Sequence, residues 1–285
     1  MMADMKQKFK KYLPLAIWIL VAAITITSVA FVNMQSSNTV CKELQIKIID
    51  SDQKGFIDNS DVINILRESD KFPTGKNIVD INTALLETIL ETNPYIENAE
   101  VFSTLDGVLH VEVSQREPII RIFNANNECF YIDEKGHSMP VSDKFSMNVI
   151  TANGYINDNA ASTKIKMIND TEADTLKQIK TVDQLFYIAS SIKNDTLWNA
   201  QLVQMYVNSK NEIELVPRVG NHIILLGGVN NLREKFDKLL IFYRKGLNKK
   251  GWTDYAAINL LYKGQVVALK RTPIVTAIAD TTISN

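Results

Sequence analysis

The chain has little of what catalytic, redox or nucleic-acid-binding proteins carry. Its 285 residues hold two cysteines, Cys41 and Cys129, and three histidines. Two cysteines are too few for a disulfide framework, and these two are not spaced as zinc ligands. Whether they bridge each other stays open, because the separation of their Cα atoms decides it and the sequence does not give that distance. A G-x-S-x-G elbow, an H-E-x-x-H pair, a phosphate-cradling G-x-x-x-x-G-K-[ST] loop, a G-x-G-x-x-G turn and a C-x-x-C pair are all missing. His110 falls in an alternating strand, His137 follows Gly136 in a turn and His222 opens a strand, so none has neighbours at ligand spacing. Asp133 and Glu134 beside Lys135-Gly136 read as a hairpin turn rather than a catalytic carboxylate pair. Two Asn-x-Thr patterns, at Asn169 and Asn194, are short enough to arise by chance. An excess of one charge is also missing: 31 basic residues face 32 acidic ones, so the chain as a whole has no electrostatic pull on a phosphate backbone. The expectation is no catalytic residue, no cofactor, no metal and no nucleic-acid partner.

What is present is apolar material, 46% of residues against 22% charged, enough for packed cores. One stretch stands apart. From Tyr12 to Cys41 no residue is charged, and residues 13–32 form an apolar run long enough to cross a bilayer as a helix. Lys6, Lys8, Lys10 and Lys11 precede it, which places the N-terminus in the cytoplasm. A cleaved signal peptide is the alternative, since Ser28-Val29-Ala30 offers small residues at a cleavage-like position. An apolar run of about twenty residues exceeds the usual h-region of roughly 7–15 and favours an anchor. Either way the remainder, with 27 basic and 31 acidic residues, lies outside the cytoplasm.

Beyond a polar spacer, Leu44, Ile46 and Ile48 alternate as a half-buried strand. Asn59 or Ser60 then caps a helix carrying Val62, Ile63 and Leu66, and a second helix after Asp80 carries Leu85, Leu86, Ile89 and Leu90 up to Asn93-Pro94. Two alternating runs, 96–103 and 108–114, flank Leu105-Asp106-Gly107, whose Asp-Gly pair favours a tight hairpin. The order is β-α-α-β-β. Strands come next at 119–123, 129–132 and 148–151, then a polar insertion over 157–170 and a helix opened by a Thr171/Asp174 capping box, with Leu176, Ile179, Val182, Leu185, Phe186 and Ile192 on its apolar face. Further strands are expected at 202–207, 212–216, 222–226, 255–262 and 265–270, with a helix from about Asn230 to Lys245. On this reading Tyr262 closes the penultimate strand. If the last strands lie at a sheet edge, their free N–H and C=O groups can accept a strand from a partner.

This arrangement resembles the FtsQ/DivIB family of bitopic bacterial cell-division proteins. Gly75-Lys76-Asn77-Ile78 with Asp80, Asn93-Pro94-Tyr95-Ile96, and Leu109-His110-Val111-Glu112-Val113 running into Arg116-Glu117-Pro118 are similar to its POTRA module. Tyr131-Ile132-Asp133 with Gly136, Leu225-Leu226-Gly227 ahead of the Lys235 helix, and Ile258-Asn259-Leu260-Leu261-Tyr262 are similar to its β domain. The chain departs from better-known members in having Asn259 and Leu261 where an acid and an arginine are common, and in the 157–170 insertion.

The resemblance implies an α+β protein with a single N-terminal transmembrane helix, a β-α-α-β-β POTRA domain and a mixed β-sheet domain with flanking helices. The implied domains are a cytoplasmic tail 1–12, transmembrane helix 13–32, linker 33–41, POTRA domain 42–117, β domain 118–272 and a flexible tail 273–285. It implies a non-enzymatic divisome scaffold in the inner (plasma) membrane, whose partners are FtsB/DivIC-like and FtsL-like coiled-coil membrane proteins and septal cell-wall synthases. Partner binding falls on Leu261, Tyr262, Lys263 and Gly264, with Trp252 near them by position. An outer-membrane assembly factor would need a β-barrel for which no chain length remains. The competing reading is an anchored or secreted envelope protein that binds a small ligand or carries an unrecognised enzymatic site.

Overall fold

The computed structural model describes residues 17–28, 39–49, 55–104, 106–160, 165, 179–247 and 251–271. Residues 17–28 are helical (α1). The Thr25, Thr27 and Ser28 hydroxyls donate back to the carbonyls of Ala22, Ala23 and Ile24 within that helix, which lets polar side chains sit in an apolar stretch. Among the described residues no helix is long and apolar enough to cross a membrane, and the rest of the expected 13–32 span lies outside them. Beyond α1 the chain divides into two compact units that meet between Gln115 and Arg116.

The first unit runs β1 (Glu43–Ile49), α2 (Asn59–Glu68), a short 3-10 turn at Ile78–Asp80, α3 (Thr83–Glu91), β2 (Ile96–Ser103) and β3 (Val108–Gln115). Its sheet has the order β1-β3-β2, with β1 parallel and β2 antiparallel to the central β3. Central position explains why Leu109, Val111 and Val113 of β3 are fully buried, against Val62 and Leu66 of α2 and Leu86 and Leu90 of α3. The expected β-α-α-β-β order is the observed one. The cap of α2 is not: Asp58, rather than Asn59 or Ser60, accepts from the Asp61 N–H at 3.0 Å, while the Asp61 carboxylate accepts from the Asp58 N–H at 2.9 Å. The reciprocal acid three residues on selects the earlier position. Asp58→Ala will therefore cost the first unit about 1 kcal/mol, read as a shift in its denaturant midpoint. At the β2–β3 turn Gly107 takes φ +94°, and a Cβ there would lie 2.8 Å from the Val40 carbonyl. Leu105 lies outside the described residues.

The described residues of the second unit form a mixed sheet of nine strands: β4 (Pro118–Phe123), β5 (Cys129–Asp133), β6 (Ser138–Pro140), β7 (Ile150–Gly154), β8 (Leu202–Val207), β9 (Ile213–Pro217), β10 (Ile223–Gly227), β11 (Tyr255–Asn259) and β12 (Val267–Lys270). The order across the sheet is β12-β11-β10-β9-β8-β7-β4-β5-β6, with parallel pairs at β10/β11, β7/β8 and β4/β7. Helices α4 (Thr181–Lys193), α5 (Thr196–Gln201) and α6 (Leu232–Phe242) supply the other side of one continuous core, through Leu185, Ile188, Ile192, Trp198, Phe236 and Leu239.

Several expectations change here. The Thr171/Asp174 capping box lies outside the described residues, and the described helix begins at Thr181, so Ile179 packs on the core from ahead of it. The helix expected over 230–245 is α6 followed by a π turn at Tyr243–Leu247. Helix α5 and strand β6 were not expected. Asp195 caps α5 by accepting from the N–H groups of Leu197 and Trp198 at 2.9 and 3.1 Å. Both cysteines are free thiols.

The second unit locks its own entry. Arg116 donates from Nη1 to Asp133 Oδ2 at 2.8 Å, and the other Asp133 oxygen accepts from the N–H groups of Lys135 and His137 at 2.9 and 2.7 Å. Lys193 on α4 pairs with both Glu117 and Glu134. Its ammonium is held above the usual lysine range by those carboxylates, against the opposing effect of burial.

Candidate docking edge

The last described strand is the outermost strand of the nine-stranded sheet: β12 pairs with β11 on one side, and among the described residues no strand lies on the other. Arg271 continues the inner ladder by donating its N–H to the Asp254 carbonyl at 2.8 Å. N–H and C=O directions alternate along a strand, so Lys270 and Ala268 turn theirs outward. The neighbouring ladder agrees in phase, because Leu260 donates to Leu225 of β10 and so leaves Asn259 and Ala257 facing β12.

The side chains on this edge are apolar where water would be expected. Val267 and Leu269 share one face of β12 and are 45% and 64% exposed, while Ala268 packs on the core from the opposite face. Leu269 pairs with Ala257 and that residue with Ile223 of β10, itself exposed, so an apolar row crosses three strands and ends in solvent at β12. Two of the other outer strands, β2 and β6, are closed. On β2 the N–H groups of Val101 and Ala99 donate to Glu87 and Glu91 of α3 at 2.8 and 3.3 Å. The far strand β6 has three residues and ends in Pro140. Glutamate cover, shortness and proline are the ordinary means of shutting a sheet edge.

Of the five residues selected from sequence, four come together beside this edge and one does not. Leu261, Tyr262, Lys263 and Gly264 form the loop between β11 and β12, so Tyr262 does not close the penultimate strand. Strand β11 ends at Asn259 because its Oδ1 accepts from the Leu261 N–H at 2.9 Å, an Asx turn that diverts the backbone. Two contacts from α6 pin the loop: Lys238 Nζ donates to the Tyr262 carbonyl at 2.8 Å, and Glu234 accepts from the Gly264 N–H at 3.3 Å. Leu261 lies over Gly227, where any Cβ would collide with its Cδ2. Tyr262 is 51% exposed and presents its ring to solvent. Trp252 lies at the other end of β11, half-buried, in edge contact with Tyr243 at 5.0 Å between ring centroids. Sequence reasoning missed Val267, Leu269, Glu234 and Lys238; the alternation Val267-Ala268-Leu269 was the available signal.

The aromatic group behind Trp252 carries a titratable residue. His222 is buried at the head of β10, and its Nε2 lies 2.9 Å from the Tyr243 hydroxyl. Burial lowers the imidazole below its ordinary 6.5, opposed by the Trp252 carbonyl, and burial raises the Tyr243 phenol. A histidine kept neutral by the fold takes up a proton more readily when unfolded, so its contribution is complete above pH 6.5 and declines as pH falls below that value. His222→Gln will flatten the pH dependence of the thermal midpoint between about pH 6.5 and 5, read by a pH series of melts of both proteins.

Among the described residues no group of three His, Cys, Asp or Glu side chains is placed to hold a metal ion. Among the described residues the fold and edge together define two modules, a small POTRA-like module followed by a β domain with one open outer strand. Comparison with known families gives the same division. The POTRA-like domain matches residues 39–114, and the family described as FtsQ/DivIB, C-terminal related, matches residues 117–269, more than half of the chain. The chain belongs to the FtsQ/DivIB family of cell-division proteins. No curated protein matches it.

Proposed function

We propose that this protein is a membrane-anchored, non-enzymatic scaffold of the bacterial divisome. It receives an extended segment of an FtsB/DivIC-like protein on β12, and through it holds FtsL-like partners beside the septal cell-wall synthases. The observation that carries this reading is the open β12 edge with exposed Val267 and Leu269, next to a loop that α6 holds in place. Main-chain hydrogen bonds to an outer strand supply docking, and alternate side chains supply selectivity. Burying Val267 or Leu269 fully is worth about 1.5–3 kcal/mol each. Tyr262, Lys263, Gly264 and Leu261 line the approach, and Trp252 supports β11 from its other end.

In this reading residues 1–12 are cytoplasmic, 13–32 span the inner (plasma) membrane, 33–41 link, 42–117 form the POTRA domain that adds recruitment contacts near the membrane, 118–272 form the β domain and 273–285 a tail. Holding several weak contacts on one anchored chain raises the effective concentration of each partner for the others. The test is capture from detergent-solubilised native membranes with the full chain as bait, against a Val267→Asp/Leu269→Asp double variant of unchanged circular dichroism. Identified FtsB/DivIC-like and FtsL-like proteins should be recovered by the wild type alone. Equal recovery by both baits contradicts the edge, and recovery of neither protein contradicts the scaffold. The anchor has its own check: the intact mass of mature protein will include Lys6 to Lys11, and an N-terminus at Phe31 would remove it.

A further inference from the structure

We infer that one end of the first unit rests on the lipid surface, with Val40, Val79, Leu85 and Phe102 dipping into the headgroup layer. This rests on residues 13–32 spanning the membrane, as proposed above. Among the described residues of the first unit beyond α1, the exposed large apolar side chains are Val40, Val79, Leu85 and Phe102, at 40, 64, 40 and 45%. The topology gathers all four at one end. Strand β1 starts beside the start of β3 and the end of β2, since Glu43 pairs with Val108 and Ser103 with Leu109. Helix α2 begins after the far end of β1 and returns, so the loop that follows it, with Val79, and the first turn of α3, with Leu85, lie back at the near end.

Backbone bonds stitch that end together. The Ile78 N–H donates to the Thr39 carbonyl, the Cys41 N–H to the Lys76 carbonyl, the Gly75 N–H to the Cys41 carbonyl and the Lys42 N–H to the Gly107 carbonyl of the β2–β3 turn, each at 2.9 Å. Ile78 packs inward on the core, and Val79, next to it on the 3-10 turn, faces out. Apolar side chains gathered and exposed in this way mark a contact surface. The length of the connection says what the surface meets. Six residues, 33–38, separate the expected span from Thr39. Seven Cα steps reach about 25 Å at full extension, and the headgroup layer takes up roughly the first 5–8 Å of that. A soluble partner has to find this end, whereas the chain itself holds the bilayer against it at high effective concentration.

Lys42 and Lys76 are exposed at the same end, and their stems can carry the ammonium groups to lipid phosphates while the apolar side chains sit deeper. The carboxylates nearby are engaged locally: Asp80 accepts from Asn77 Nδ2 at 3.3 Å and Asp106 from the Thr104 hydroxyl. Seated in this way, the unit has a fixed tilt, and its opposite end, where α2 starts at Asn59, points away from the bilayer.

The test attaches a polar fluorophore to Val79→Cys or to Asn59→Cys of the full chain, in a Cys129→Ser background; Cys41 is buried and does not react. Each protein is reconstituted into vesicles of phosphatidylethanolamine and phosphatidylglycerol that contain headgroup-spin-labelled lipid, and quenching is read. We expect quenching at position 79 at least threefold that at position 59, falling by at least half when Val40→Asp/Leu85→Asp is added without change in circular dichroism. Equal quenching at the two positions overturns the inference, as does quenching that the double variant leaves unchanged, which would reduce the proximity to an effect of the connection alone. Shielding of position 79 from a water-soluble quencher in native membranes but not in these vesicles would assign the patch to a membrane protein and overturn it too. A chain that washes out of the vesicles at alkaline pH overturns the anchor and the inference together, whereas a chain that stays, with position 79 unquenched, overturns the inference alone.

Discussion

If the proposed docking holds, Ala268→Pro weakens binding of an FtsB/DivIC-like partner by at least tenfold while the β domain keeps its fold. Ala268 turns its N–H away from β11, so proline removes a donor that the sheet does not use and an added strand does. A buried acceptor on the incoming strand, left without that donor, costs about 1–3 kcal/mol, and each 1.4 kcal/mol is a factor of ten in affinity. A proline at Leu261, which the sequence placed in the penultimate strand, would instead fall in the loop, where it would remove the bond from the Leu261 N–H to Asn259 and disturb the backbone over Gly227. Should Ala268→Pro lower the thermal midpoint, Leu269→Asp gives the same reading without touching the backbone. Unchanged affinity in both folded variants would contradict docking on β12.

Asp133→Ala is expected to destabilise the second unit strongly. Asp133 is 2% exposed and holds Arg116, which is itself mostly covered, together with two backbone N–H groups of the following turn. Removing the carboxylate leaves a poorly solvated guanidinium and two donors without an acceptor, a loss of about 3 kcal/mol. For a unit of this size that corresponds to roughly 6–12 °C in melting temperature. Trp198, buried against Phe236 at 5.3 Å between ring centroids, is a convenient fluorescence reporter of that transition. Asp133→Asn should lose less, since its amide oxygen still accepts from the turn while the charge on Arg116 goes unmatched. A midpoint unmoved by Asp133→Ala would mean that the turn holds itself through Gly136 at φ +80° and the ladder bonds of β5.

Much of the fold was legible where periodicity is strong and local. The β3 alternation Leu109-Val111-Val113 and the helical spacing of Val62 with Leu66 each bury the face the pattern selects. Short elements were not legible. Helix α5 spans Thr196–Gln201, too few residues for a period, and its cap at Asp195 sits inside an Asn-x-Thr pattern that drew attention for another reason. Strand β6 has three residues and is set by pairing with β5, a partner the local sequence does not name. The run Leu260-Leu261-Tyr262 continued an apolar strand on paper, yet the side chain of Asn259 competes for the backbone two residues on and ends β11. The loop proposed for docking was selected from family likeness, whereas the outer position of β12 depends on the pairing order β12-β11-β10, a long-range property. Apolar chemistry alone does not tell whether Val267 and Leu269 face a core or solvent. Among the described residues no strand neighbours β12 on its outer side, and that leaves both exposed.

The central claim is that a partner segment lies along the outer side of β12, and a photoreactive residue replacing Leu269 in the full chain, in native membranes, tests it most directly. Val141, exposed just beyond the opposite edge strand β6, serves as the control position. The account predicts a covalent adduct with the FtsB/DivIC-like protein from position 269 and none from position 141. An adduct from 141 with none from 269, in membranes where the two proteins still co-purify, would place the interface on another surface and contradict it.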